Sequence, residues 1–342
     1  MIEGKAPIKV EISYKTVVFT VGFLIALWLI IQIRDVIVLL FLALILLSAL
    51  SKPVDWLNSR RVPRLLSVII VYVILILVIS LVFSIIIPPL VLQTTEFVIR
   101  IPQIVSTIND FLLFHNIPVE NFSAMLSHQA QLLTGDIVSI TKTIFSSILI
   151  LITLFILTFY SLLEWRKFLR FVASPFSGKQ EKRIVTTVTK VEEGIGKWVR
   201  GQLTLSLTVG VLTFIGLVVL NIPFALPLAL IAGMLEIVPI VGPILAAIPA
   251  ILVGLTVSPV MALAVTALFV IVQQLENHLI VPLVMSRVVG LQPPVVIIAL
   301  LTGAKLAGVG GAFLAIPLIV VFKIIFVELL QEEKKIEGEL VD

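Results

Sequence analysis

In the almost uncharged stretch from Pro223 to Pro317, four side chains other than histidine can ionise: Glu236, Glu276, Arg287 and Lys305. A carboxyl group in such surroundings can take up a proton, hold a monovalent cation or hydrogen-bond a hydrophilic solute. Each charge costs a few kcal/mol in hydrocarbon, so each should face a cavity, a partner or the membrane edge. Glu236 stands just before a break that begins at Pro239. Gln273, Glu276 and Asn277 recur at three- and four-residue spacing, which on a helix gathers them on one face. That face suits a hydrophilic solute or a cation, or it caps a helix at the membrane edge. Lys305 has no acidic neighbour on its own segment. A partner from another helix is expected, with Glu236 and Glu276 the candidates, as a structural pair or as the counter-charge of a coupling site.

The backbone around these residues is interrupted by Pro239, Gly242, Pro243, Pro249, Pro259, Pro282 and the pair Pro293-Pro294. Proline frees carbonyls that hydrocarbon cannot satisfy, so irregular backbone at that depth belongs inside protein or against water. Interrupted apolar segments with sparse polar residues point to the working core of a transporter. Small residues form two further lines at four-residue spacing. One is Gly242, Ala246, Ala250 and Gly254; the other is Gly303, Ala307, Gly311 and Ala315, flanked by Ala304, Gly308 and Ala312. Such faces let helices approach closely, as static packing or as surfaces that slide.

The elements that carry these residues must be membrane helices. Hydrophobic residues make up 60% of the 342 and charged ones 13%, against about 45–50% and 25% in ordinary soluble domains. The mean hydropathy is +1.22. The net charge of +4 is spread between apolar runs rather than gathered in one patch, which reads as membrane topology and not as nucleic-acid binding. With no cysteine there is neither a disulfide frame nor a thiolate site. His115, His128 and His278 lack metal-ligand spacing, so no metal or other cofactor is expected.

Taken in order, residues 1–92 hold three spans. The first, at 16–33, is too long and lacks the cleavage site of a signal peptide. It forms a tight hairpin with 36–50, and the third, 65–87, ends at Pro88-Pro89. Residues 93–142 carry two amphipathic helices and are expected outside. Residues 143–202 comprise a fourth span and a connection from Glu164 to Arg200 with nine basic and four acidic residues. Its apolar stripe predicts a helix lying under the membrane. Gly194-Ile195-Gly196-Lys197 lacks the earlier glycine and following hydroxyl of a phosphate loop. Residues 203–328 form the transport core, in which 225–257 is either two short spans or a re-entrant hairpin. Residues 329–342 are a charged tail. The expectation is an all-α membrane protein of about eight transmembrane helices, Pro/Gly-broken or re-entrant in its C-terminal half, with both termini and the basic connections cytoplasmic.

The motifs resemble those of the autoinducer-2 exporter family. Gly196 with Arg200, Gly201 and Gln202 is similar to the family's Gly-x-x-x-Arg-Gly-Gln at the start of a span. Leu235 to Pro243 followed by Ala247-Ile248-Pro249-Ala250 is similar to its central break. Gln274 to Pro282, Gly303-Ala304-Lys305 through Gly311, and Leu314-Ala315-x-Pro317 complete the resemblance over about 190–325. It implies an oligomeric permease or exporter of a small hydrophilic solute such as a quorum-sensing furanone, in the cell membrane, with no enzymatic activity. Some members are described as sodium/proton antiporters, which is the alternative here, beside a structural membrane protein that transports nothing. Two departures bear on this choice: Ile240 stands where the family commonly has Tyr, and Glu236 where many members carry Asn. A carboxylate at 236 favours coupling to protons or cations. No zinc-protease helix motif, paired catalytic aspartates or Ser-His pair suggests an intramembrane enzyme.

Overall fold

Long apolar runs broken by short polar connections give long helices. The computed structural model describes residues 14–114, 137–239, 241–285 and 292–339, and contains no strand among them. The helices are α1 (Tyr14–Gln32), α2 (Arg34–Ser59), α3 (Arg64–Phe114), α4 (Ile137–Ala173), α5 (Lys179–Val219), α6 (Ala225–Leu235), α7 (Val241–Val257) and α8 (Pro259–Leu275). A π-helical turn (Glu276–Ile280) then leads into α9 (Val281–Met285), and α10 (Pro293–Glu339) closes the chain. Among the described residues, seven stretches are long and apolar enough to cross a membrane, while α6 and α7 are shorter. Val260 and Leu263 on α8 and Leu283 on α9 are each more than 70% exposed. Apolar surface of that kind, repeated on every long helix, needs lipid rather than water around it.

Several long elements merge what the sequence divides. Pro88-Pro89 does not end α3, which continues to Phe114 over 51 residues. Each proline withholds one N–H, and a helix in apolar surroundings tolerates the loss because no water competes for the rest of the ladder. The first expected amphipathic helix is therefore an extension of the third span; most of the second falls in 115–136, outside the described residues. The basic connection and the fifth span are likewise one helix, the 41-residue α5. Its stripe of Val191, Ile195 and Trp198 packs on Ile45 of α2 and on Leu300, Ala312 and Ile316 of α10. The stripe thus faces protein, and does not lie along a membrane surface as expected. The tight hairpin expected at Arg34-Asp35 is also absent. α1 and α2 meet at Ile33, which keeps its bonds to Leu29 and Ile37, and α1 buries no residue.

Two further clusters hold the bundle. Leu47, Leu50 and Val54 of α2 pack with Val68, Val71 and Tyr72 of α3 and Leu162 of α4. Tyr72 donates its hydroxyl to the Phe155 carbonyl at 3.1 Å. At the other end, Leu217 of α5, Leu228 of α6, Ala250 and Val253 of α7 and Val265 of α8 meet in a third cluster. Here glycine permits close approach. A Cβ on Gly233 of α6 would lie 2.8 Å from the Ser206 carbonyl of α5. Gly254 of α7 likewise comes against the backbone of Met261 and Ala262. The line Gly242, Ala246, Ala250 and Gly254 is buried throughout, as its spacing predicts.

The second small-residue line works differently. A Cβ on Gly303 would lie 2.3 Å from the carbonyl oxygen of Gly311, whereas eight residues along an unbroken helix span about 12 Å. α10 therefore folds back on itself. The reversal lies at Ala307 (φ −143°, ψ 27°) and Gly308 (φ 60°, ψ −144°), the latter a conformation nearly restricted to glycine. Gly303, Gly311 and Ala315 line the seam between the two arms, while Gly308 and Ala307 form an exposed tip rather than a packed face. Pro317 sits buried inside the longer arm.

Candidate functional site: a buried carboxyl pair at a helix break

α6 has only 11 residues, about 16 Å of helix, and runs back along α5 before it stops. Its last turn is closed by backbone bonds from Glu236 N–H to the Ala232 carbonyl and from Val238 N–H to the Leu235 carbonyl. Gly242 starts α7 so close to this turn that a Cβ there would lie 1.9 Å from the Leu235 oxygen. The Pro239–Pro243 segment is thus a sharp reversal, and α6 and α7 form a hairpin of two short helices. α5 holds its tip: the buried Gln202 Nε2 donates to the Glu236 carbonyl oxygen at 2.6 Å. Arg200, Gly201 and Gln202 belong to a motif in the sequence, yet nothing in the sequence connects Gln202 to position 236. That link appears only when α6 lies along α5.

The Glu236 side chain is fully buried, and neither carboxyl oxygen has a hydrogen-bond donor among the described residues. The neighbouring ionisable group is the carboxyl of Glu276. Glu276 is 3% exposed and accepts from Gln273 Nε2 at 3.3 Å. It opens the π-helical turn that follows α8. A wider turn of this kind shifts the register of side chains around the helix and is frequent at functional sites. α8 itself starts from a well-formed cap, with Ser258 Oγ accepting from Met261 N–H at 3.1 Å and proline in the first turn.

The structure brings together Glu236, Gln273, Glu276 and Gln202, and leaves out two expected members. Asn277 is exposed, because the turn carries it away from the face of Gln273 and Glu276. Lys305 lies on the exposed tip of the α10 hairpin and makes no salt bridge among the described residues. The expected pairing of Lys305 with Glu236 or Glu276 is therefore corrected: carboxyl faces carboxyl. Among the breakers, Pro239, Gly242 and Pro243 shape the site, and Pro249 lies inside α7. Pro282 is exposed in α9, and Arg287 falls outside the described residues. The Gln202 Oε1 atom is also buried, so three buried oxygens have no hydrogen-bond donor among the described residues.

No group of three or more His, Cys, Asp or Glu residues is placed to hold a metal ion among the described residues. Two carboxyl groups and an amide oxygen suit a proton or a monovalent cation better than a divalent one, which gathers more oxygens.

Residues 17–331 match the family described as "AI-2E family transporter". "Putative transport protein YrrI" of Bacillus subtilis (strain 168) is 28% identical over 318 residues, covering 89% of either chain. "Putative transport protein MT0215" of Mycobacterium tuberculosis (strain CDC 1551 / Oshkosh) is 26% identical over 324 residues, 91% of this chain and 87% of the relative. "AI-2 transport protein TqsA" of Escherichia coli (strain K12) is 26% identical over 298 residues, 83% of this chain and 82% of its own.

Proposed function

From the premise that this chain belongs to the AI-2E transporter family and is a membrane transporter, we propose that it moves a small hydrophilic solute of the autoinducer-2 kind across the cell membrane by alternating access. Glu236 and Glu276 respond to protons or cations, and the α6–α7 and α10 hairpins are the moving parts. The observation that carries this reading is the buried carboxyl pair at the break between two short helices, in which Glu236 has no hydrogen-bond donor among the described residues. Two carboxylates side by side repel in low dielectric, so uptake or release of one positive charge changes the balance at the hairpin tip. A displacement of α6 against α5 has smooth surfaces to follow, with Gly210 facing Gly233. The solute class rests on the printed name of the Escherichia coli relative. We place both termini and the basic connections in the cytoplasm. Support comes from Lys190 of α5, which pairs with Glu328 near the end of α10, and from Arg64, which bonds the Leu162 carbonyl. These contacts collect the basic connections at one end of the bundle. We also read the protein as a homo-oligomer, since α1 finds no burial within one chain.

Sodium/proton antiport is the second reading, favoured by the buried oxygens of Glu236 and Gln202, which have no hydrogen-bond donor among the described residues. Reconstituted vesicles separate the two. A sodium gradient that drives proton movement without added solute, lost in Glu236→Gln, selects antiport. Solute flux that follows an imposed pH gradient, without sodium, selects the permease. Flux unchanged in both Glu236→Gln and Glu276→Gln would remove the carboxyl pair from the mechanism, and no flux of either kind in the wild type, with assembly intact, would leave a structural membrane protein.

A further inference from the structure

At the basic end of the bundle a cavity of about 690 Å³ opens between α2, the start of α3, the end of α4 and α5. Five cations line it, Lys52, Arg64, Arg166, Arg170 and Arg200, against the acids Asp55, Glu192 and Glu193. Three of these charges are already engaged. Arg64 pairs with Asp55 at 3.3 Å and donates to the Leu162 carbonyl at 2.8 Å. Glu192 accepts from Ser51 Oγ at 2.8 Å and from Trp165 Nε1 at 2.5 Å. What remains is an excess of cations. Lys52, Arg166, Arg170 and Arg200 have no salt bridge among the described residues. The Nη1 of Arg200 is buried there with no acceptor among the described residues. It reaches the cavity past Gly196, where a Cβ would lie 3.2 Å from it and 2.6 Å from the Ser48 carbonyl.

A buried guanidinium nitrogen without an acceptor, in a cavity of positive charge, calls for an anion. We propose that this cavity is an anion site that binds a phosphate group carried on a larger molecule, with Arg200 at its floor and Arg166, Arg170 and Lys52 at its mouth. Arginine favours phosphate because its planar fork of N–H groups matches the oxygens of a tetrahedral anion, and several forks converge here. The volume exceeds what bare phosphate needs and falls in the range of small-ligand sites. Either a soluble phosphate ester or the headgroup of an anionic lipid supplies this chemistry at the end of a membrane bundle.

Full-length protein in nanodiscs of neutral phosphatidylcholine, titrated calorimetrically with inorganic phosphate, tests this directly and without any transport measurement. Saturable binding is expected, weakened about tenfold by Arg200→Gln and by Arg166→Gln, the loss of one charge-assisted bond. Lys179→Gln, an exposed change outside the cavity on the same helix, should leave it intact. If phosphate gives no heat but phosphatidylglycerol stays with the wild type in native mass spectrometry and is shed by the same two variants, the ligand is a lipid headgroup and the site stands. Absence of both, binding unaltered by Arg166→Gln and Arg200→Gln, or an equal loss in Lys179→Gln would overturn the proposal. Because Arg166 is exposed, its variant answers the question even if Arg200→Gln fails to fold.

Discussion

Two of the breaks in the C-terminal half, at α6–α7 and within α10, differ in what they bury. At the α6–α7 break the chain reverses within protein: Glu236 and Val238 are sealed, Gly242 touches the Leu235 carbonyl, and α5 reaches across to bond the tip. At the α10 break the two arms close on each other, and everything from Ala304 to Gly310 is exposed. Both carry an ionisable residue in an apolar sequence. The first keeps it from any solvent, beside another of the same sign; the second offers Lys305 outward. A charge at an exposed tip can reach water or headgroups and is tolerated. A sealed one without a partner is costly.

The largest expected difference between the breaks is functional. Glu236→Met should abolish transport while thermal unfolding of the purified protein shows stability unchanged or raised by about 1–3 kcal/mol, since a buried polar group without a partner is removed. Lowered stability together with retained flux would turn the pair into scaffold. Next in size is the steric contrast. Gly242→Ala should cost about 2–3 kcal/mol, because its Cβ would overlap a carbonyl fixed by the reversal. Gly308→Ala has open space around it and only backbone conformation to oppose it, so about 1 kcal/mol is expected. Unfolding midpoints in one detergent rank the two, and the reverse order would mean that the first break is the pliant one.

Gln202→Leu should cost about 1–2 kcal/mol by leaving the Glu236 carbonyl buried and unbonded. If Gln202 also helps hold a cation, the variant should in addition shift the sodium dependence of flux in vesicles, which a purely structural bond would not do. The smallest effect is assigned to Lys305→Met. Yield, stability and the pH profile of transport should all stay within about 0.5 kcal/mol or its kinetic equivalent, as for an ordinary surface change. A double-mutant cycle with Glu236→Gln or Glu276→Gln should then be additive. Strong coupling in that cycle would restore the pairing that the fold argues against.

By itself the sequence determined the class of molecule and the addresses of its breaks. Apolar runs of spanning length, basic connections and the prolines at 239 and 243 are local properties, and each acts through its own stretch of chain. The line from Gly242 to Gly254 was legible for the same reason, because four-residue spacing specifies one face of one helix. Length along a helix was less legible. Pro88-Pro89 and the basic-to-apolar change near Arg200 look like ends, yet α3 and α5 run through them. Only tertiary structure decided the partnerships. Gln202 meets Glu236 because α6 doubles back along α5, and Glu276 comes beside Glu236 only when α8 packs against α5. Lys305 is carried away because Gly303 and Gly311 close α10 on itself. Spacing within one segment fixes a direction around its own axis, whereas contact between segments depends on where each reversal sends the next.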